Sequence, residues 1–277
     1  MNPVPSKDLT TRRLRQVQGG LTVSLIMAQR TSLMTCTRSD RQDELRRKNI
    51  NDYSTLPVVD GDKRIIGLYD ASRWFIDSAP SEQVGNDFTP VSESILIGAD
   101  ASIFDFLRSA DKNPTQLVVR EHGIAGLVTL SDIQHLPVRA ALFTLITGFE
   151  MVMAALIKTV WPDDEWQSEL SGPRRAVLDA EIKKAREQDA YTGDLVLTQF
   201  CDKATLIRKT ERLTGSKSKL EAVTKKAERL RNKLAHGNHY ATKPKDAMAI
   251  CQLVRDILEL QEQIEQHLTP AAQNPDA

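Results

Sequence analysis

STLPVVDGDKRIIGLYD (residues 54–70) sets two short apolar runs on either side of Gly-Asp-Lys. Apolar, β-branched residues flanking a polar turn predict two antiparallel strands, STLPVVD (54–60) and RIIGLYD (64–70). QLVVRE (116–121) and IAGLVTL (124–130) repeat the arrangement around His122-Gly123, and Gly126 follows Gly67 by 59 residues. Each hairpin follows a helix candidate, RQDELRRKNI (41–50) or SIFDFLRSAD (102–111), and precedes another, ASRWFIDS or SDIQHL. Self-similarity at this spacing predicts one supersecondary unit used twice and packed face to face.

Beyond Pro137 the strand signal vanishes. Helices are expected over 138–161, 174–188, 195–213, 216–236 and 244–268, an antiparallel bundle. The fold class is therefore α+β: an N-terminal extension (1–20), a first repeat (21–79), a second repeat (84–136), a helical domain (138–268) and a disordered tail, TPAAQNPDA (269–277). The stretch AALFTLITGFEMVMAALIKTV (140–160) approaches the roughly 20 residues that span a bilayer. Glu150 stands at its centre, where insertion would cost at least ~2.5 kcal/mol. It reads instead as the buried helix of a soluble bundle. A carboxylate there needs a partner, and Arg231, or the same motif of a second subunit, is the one expected.

Lys and Arg number 37 and Asp and Glu 37, so no global field attracts nucleic acid or membrane. Locally, residues 203–233 hold eleven Lys or Arg against three Glu. Cys36, Cys201 and Cys251 are dispersed, which fits buried thiols in a reducing cytoplasm better than a disulfide frame or zinc site. The first residues contain no apolar signal core. GxGxxG, P-loop, HExxH and GxSxG patterns are absent, so no metal or catalytic cofactor is expected.

RNKLAHGN (231–238) closes the fourth expected helix, with Gly237 as its left-handed stop. Asn232 and His236 are spaced i, i+4 and share a face. Arg231 lies about 140° round the helix from His236, with a side chain long enough to reach that face. An imidazole, a permanent cation and an amide suit phosphodiester cleavage, but one histidine does not easily serve as both acid and base. The plainer reading is a histidine that meets the carbonyls ending its helix.

The repeated half resembles a pair of CBS (cystathionine-β-synthase) domains, a Bateman module, over residues 21–136. The resemblance rests on LPVVDGDKRIIGL and GLVTLSD. It implies one site for an adenosine nucleotide (AMP, ADP or ATP) as regulatory ligand, with Gly126, Thr129 and Asp132 matching the family pattern and Asp132 on the ribose hydroxyls. In the first copy Asp70 and Arg73 stand where threonine and aspartate belong. Arg73 would instead reach a phosphate across the pseudo-twofold. Alternatively, Thr129 and Asp132 only cap the helix that begins near Ser131.

The helical half resembles a HEPN (higher eukaryotes and prokaryotes nucleotide-binding) domain over 138–268, on Arg231, Asn232 and His236. That resemblance implies a metal-independent endoribonuclease whose homodimer brings two motifs together, leaving 2′,3′-cyclic phosphate and 5′-hydroxyl ends. The paired His236 residues would be acid and base, Arg231 would hold the phosphate, and Asn232 would orient His236 or donate to phosphate. Glu150, Asp202, His239 and Tyr240 are the residues expected to line this site. Nucleotide in the first half would shift the protomers through LPVR (136–139) and open or close an RNA cleft. A toxin or phage-defence effector is the implied setting; the alternative is a non-catalytic, nucleotide-sensing dimeric binding protein.

Overall fold

The computed structural model describes residues 16–72, 83–190, 193–237 and 239–268. Both hairpins form where the alternation places them. β1 (Ala28–Gln29) leads to α1 (Gln42–Lys48) and the hairpin β2 (Thr55–Val59) and β3 (Ile65–Asp70). β4 (Thr89–Pro90) and β5 (Leu96–Gly98) lead to α2 (Ile103–Ser109) and the hairpin β6 (Thr115–Arg120) and β7 (Gly123–Thr129). A register shift interrupts both hairpins at the same place, between Val58 and Val59 and between Val118 and Val119. The helix expected over 71–78 falls outside the described residues from position 73 onward, as does the tail at 269–277.

The two copies exchange strands. In the sheet β1-β7-β6-β5, Ala28 and Gln29 pair with Leu127 and Gly126; in the sheet β2-β3-β4, Thr89 and Pro90 pair with Leu68 and Gly67. The loops obey the same reciprocity: Ser24 N–H donates to the Ala99 carbonyl at 2.9 Å and Gly85 N–H to the Arg38 carbonyl at 2.8 Å. The segment leading each copy thus completes the sheet of the other, and the hydroxyls of Thr55 and Thr115 meet at 3.3 Å. One apolar cluster draws Ile65 and Leu68 from the first copy and Ile95, Leu117 and Leu127 from the second. Neither copy closes its core alone. Cys36 sits in a neighbouring cluster, where burial, with Asp40 adding to it, pushes its thiol up to about 12. It is un-ionised near neutrality and therefore a poor nucleophile.

The strand crossing accounts for the repeated glycines. A Cβ on Gly126 would collide with the Ala28 carbonyl oxygen, and one on Gly67 with the Thr89 carbonyl oxygen and the Phe88 ring. Gly126→Ala is therefore expected to destabilise the repeated half by about 1–3 kcal/mol, the range of overpacking. Urea unfolding measures it, and an unchanged midpoint would show that the crossing strand can yield.

The chain divides into two compact units, one of them Leu21–Val138 and the other built on the chain from Arg139 onward. In the second, helices succeed one another: α3 (Leu136–Val160, whose first three residues belong to the first unit), α4 (Gly172–Glu187), α5 (Phe200–Lys209), α6 (Lys217–Ala235) and α7 (Pro244–Leu268). α3 is long and apolar enough to cross a membrane, and 56% of its most apolar 18-residue window is buried inside the protein. Ala141, Leu142, Leu145, Ile146, Phe149 and Met153 recur at helical spacing, and all are fully buried.

The single helix expected over 195–213 is instead a 3-10 turn, Asp194–Leu197, followed by α5. Thr198 and Gln199 are extended, and the Asp202 carboxylate accepts the Gln199 N–H at 3.0 Å, so a new helix starts there. α5 stops at Lys209, and Glu211 two residues later has a φ of 56°.

Candidate functional site

Ser216 opens α6 by accepting the Lys219 N–H at 3.1 Å, and Leu220, Val223, Ala227, Leu230 and Leu234 form its buried stripe. The helix stops where the glycine places it. His236 is the C-cap, its N–H donating to the Asn232 carbonyl at 3.2 Å, and Gly237 takes a φ of 69°. Asn232 and His236 are both exposed.

The basic residues of 203–233 differ in their partners. Lys203, Arg208, Lys209, Lys217, Lys219 and Lys225 each pair with a glutamate. Lys226, Arg229 and Lys233 are exposed and have no acidic partner among the described residues. At about 100° per residue these three fall with Asn232 and His236 inside an arc of about 120°. Within α6 the cations without an acidic partner are those that flank the histidine; Arg212, also exposed without one among the described residues, precedes the helix.

Arg231 leaves that arc. Its Nη1 lies 3.0 Å from Glu150 Oε2, and its guanidinium sits over the Phe200 ring at 5.7 Å. The Glu150–Arg231 contact expected from the buried carboxylate is thus present. Glu150 has a second cation that was not expected: Lys203, 5% exposed, reaches Oε1 at 3.1 Å and the Thr198 carbonyl at 2.8 Å. The α5 pattern carried a signal for it, since Lys203 stands with Phe200, Ala204 and Ile207 on the buried face. Two cations against one carboxylate leave the cluster net positive, and opposite charges this close offset the desolvation of each.

Arg139, on the first turn of α3, is the other residue that sequence reasoning missed. Its Nη1 donates to the Leu234 carbonyl at 2.9 Å and its Nη2 to the Gly237 carbonyl at 3.4 Å, while the guanidinium stacks on Tyr240 at 5.1 Å. It satisfies the end of the motif helix, the task that the plainer reading gave to His236. A long basic side chain at a helix start gives no sequence hint of such a contact.

The remaining candidates separate. Tyr240 is 4% exposed, and burial, opposed by Arg139, pushes its hydroxyl up to about 12, so it packs beneath the motif. Asp202 gives both oxygens to Arg174 at 2.7 Å and also caps α5. His239 is exposed. Position 238, the last of the motif segment, lies outside the described residues, as does Arg73.

In the Leu21–Val138 unit a cavity of 360 Å³ has an apolar wall that includes Leu33, Met34, Pro57 and Leu127. Thr55, Thr129, Ser131 and Asp132 are among its polar residues. Asp132 Oδ2 accepts the Thr129 N–H at 2.6 Å and its hydroxyl at 3.0 Å; Oδ1 stands 3.7 Å from His135 Nε2. Two donors fill Oδ2, whereas Oδ1 keeps capacity for hydroxyl donors. Burial raises the Asp132 carboxyl above its ordinary 3.8, against the Thr129 hydrogen bonds and nearby His135. Asp132 therefore caps its turn and faces a cavity at once. Gly126 serves the strand crossing described above. The register also fixes the first copy's departure: Asp70 stands opposite Thr55 as Thr129 stands opposite Thr115, and Asp70 accepts the Ser72 N–H at 2.9 Å.

No family model and no curated protein matches the chain. Among solved structures, the CBS domain of the bacterial CNNM/CorC family Mg²⁺ transporter in complex with ATP is 20% identical, spanning 46% of this chain and 94% of its own, with a TM-score of 0.37. CBSX2 in complex with AMP is 23% identical over 44% of this chain and 96% of its own, TM-score 0.34. The CBS domains of a transcriptional regulator from Streptococcus pneumoniae are 21% identical over 40% and 95%, TM-score 0.35.

Proposed function

We propose that the chain is a nucleotide-regulated, metal-independent endoribonuclease that works as a homodimer. The observation that carries this reading is the exposed face of α6, where Asn232 and His236 end a stripe of unpaired cations. One imidazole takes the proton of an RNA 2′-hydroxyl as that oxygen bonds to phosphorus. The bond from phosphorus to the 5′-oxygen breaks, and a second imidazole protonates the departing oxygen. The products are a 2′,3′-cyclic phosphate and a 5′-hydroxyl. Because the chain supplies one His236, the second comes from the partner subunit. Each proton transfer contributes roughly 10²–10⁴-fold. Arg231 stabilises charge on the non-bridging oxygens, and Glu150, itself held by Lys203, fixes it from behind. Asn232 orients the imidazole or donates to phosphate.

The cavity at Asp132 is the regulatory site, with an adenosine nucleotide's ribose hydroxyls on Oδ1. α3 begins four residues after Asp132 and carries Arg139 and Glu150, both of which hold α6. A nucleotide acts through it only by binding one arrangement better than the other. A toxin or phage-defence role is in keeping with such a switch. The second reading, a non-catalytic nucleotide-sensing dimer, draws on Arg231 being turned toward Glu150.

Cleavage of mixed RNA in EDTA separates the two. The nuclease reading expects activity that persists without metal and rises more than linearly with protein concentration; no cleavage with AMP, ADP, ATP or no nucleotide overturns it. For the sensor, Asp132→Asn keeps an acceptor for the Thr129 N–H and removes the charge. A raised folded pKa means that the folded chain holds this proton more tightly than the unfolded one. Asp132's own contribution to stability is therefore full below its ordinary pKa of 3.8 and is lost as pH rises through the raised folded pKa. At neutral pH the variant should melt no lower than wild type, yet lose nucleotide binding by calorimetry. Wild-type binding should itself weaken as pH falls through that raised pKa. Undiminished binding by the variant would leave Asp132 as a cap alone.

A further inference from the structure

We infer that the α6 stripe Lys226–Arg229–Lys233 is the track along which an RNA strand approaches His236. The inference rests on the nuclease reading, and it adds the length and direction of the substrate. Of the eleven cations between 203 and 233, six have glutamate partners, Arg231 is held by Glu150, and Arg212 lies before α6. Lys226, Arg229 and Lys233 remain exposed without an acidic partner among the described residues, on the face that also carries Asn232 and His236.

From Lys226 to His236 the helix rises about 15 Å, the length of roughly four stacked nucleotide steps. A strand lying along α6, with the reacting phosphate at His236, passes one cation about every one to two steps toward the helix N-terminus. Arg231, on a different side of the helix and held by Glu150, is not part of the track. Sequence-independent contacts of this kind set affinity and salt dependence rather than base preference.

The test uses the full-length dimer and single-stranded RNAs of two, four, six and ten nucleotides. kcat/KM should rise with length up to about four to five nucleotides and then level off. In the triple variant Lys226→Ala, Arg229→Ala, Lys233→Ala the length dependence should collapse. Its KM for the decanucleotide should rise about ten- to hundredfold, and the slope of log KM against log salt should fall by about 2, three phosphates at about 0.7 each. An unchanged length profile and salt slope would overturn the track while leaving the nuclease in place. If wild type cuts no RNA, the nuclease reading fails. The track is then judged by fluorescence anisotropy of labelled decanucleotide: a tenfold weaker triple variant supports it, and equal binding overturns it.

Discussion

Glu150→Ala is expected to destabilise the helical half by about 3–5 kcal/mol, the usual result of removing one partner from a buried ion pair. Lys203 is 5% exposed, and without Glu150 its ammonium keeps only the Thr198 carbonyl at 2.8 Å. Arg231, a third exposed, can turn toward water; Lys203 cannot do so without opening the contacts of α5. The loss should therefore follow the lysine. Glu150→Ala combined with Lys203→Met should recover most of it, because an apolar chain replaces an uncompensated charge. Urea unfolding of the three proteins reads the coupling. A Glu150→Ala loss below about 1 kcal/mol, or no recovery in the double variant, would mean that the cluster is solvated enough to behave as a surface pair.

His236→Ala is expected to lower RNA cleavage by at least about 10³-fold, since a dimer loses its acid and its base together. Stability should change by no more than about 0.5 kcal/mol, because the side chain is exposed and Arg139 already satisfies the helix end. That combination separates a chemical role from a structural one. Were His236 only an ornament of the helix terminus, the variant would cut RNA at the wild-type rate.

The hairpins were legible because period-two alternation around turn residues is a local signal, and the 59-residue spacing of Gly67 and Gly126 marked equivalent places in the two copies. Why those places need glycine was not legible. β1 and β4 are two residues long, too short for a pattern, and their partners are chosen by packing against the other copy. The bounds of α7 and the stop of α6 at Gly237 came directly from Pro244 and the glycine. The break before α5 did not, because Gln199 is an unusual cap and Asp202 takes both the cap and Arg174. In the site, the Glu150–Arg231 pair followed from the difficulty of burying a carboxylate alone. Lys203 was hidden by the habit of treating lysine as solvated, although its position on the apolar face of α5 marked it. Tyr240 is separated from Arg139 by about a hundred residues, and no local rule predicts that stacking.

The central claim is that this chain cuts RNA with His236 and without metal, and the chemistry of the new ends tests it most directly. RNA digested in EDTA by wild type and by His236→Ala, with and without AMP, ADP or ATP, would be analysed by mass spectrometry for its termini. The account predicts 2′,3′-cyclic phosphate and 5′-hydroxyl ends from wild type and their near absence with the variant. Intact RNA under every nucleotide condition, 3′-hydroxyl and 5′-phosphate ends, or the same products from both proteins would contradict it.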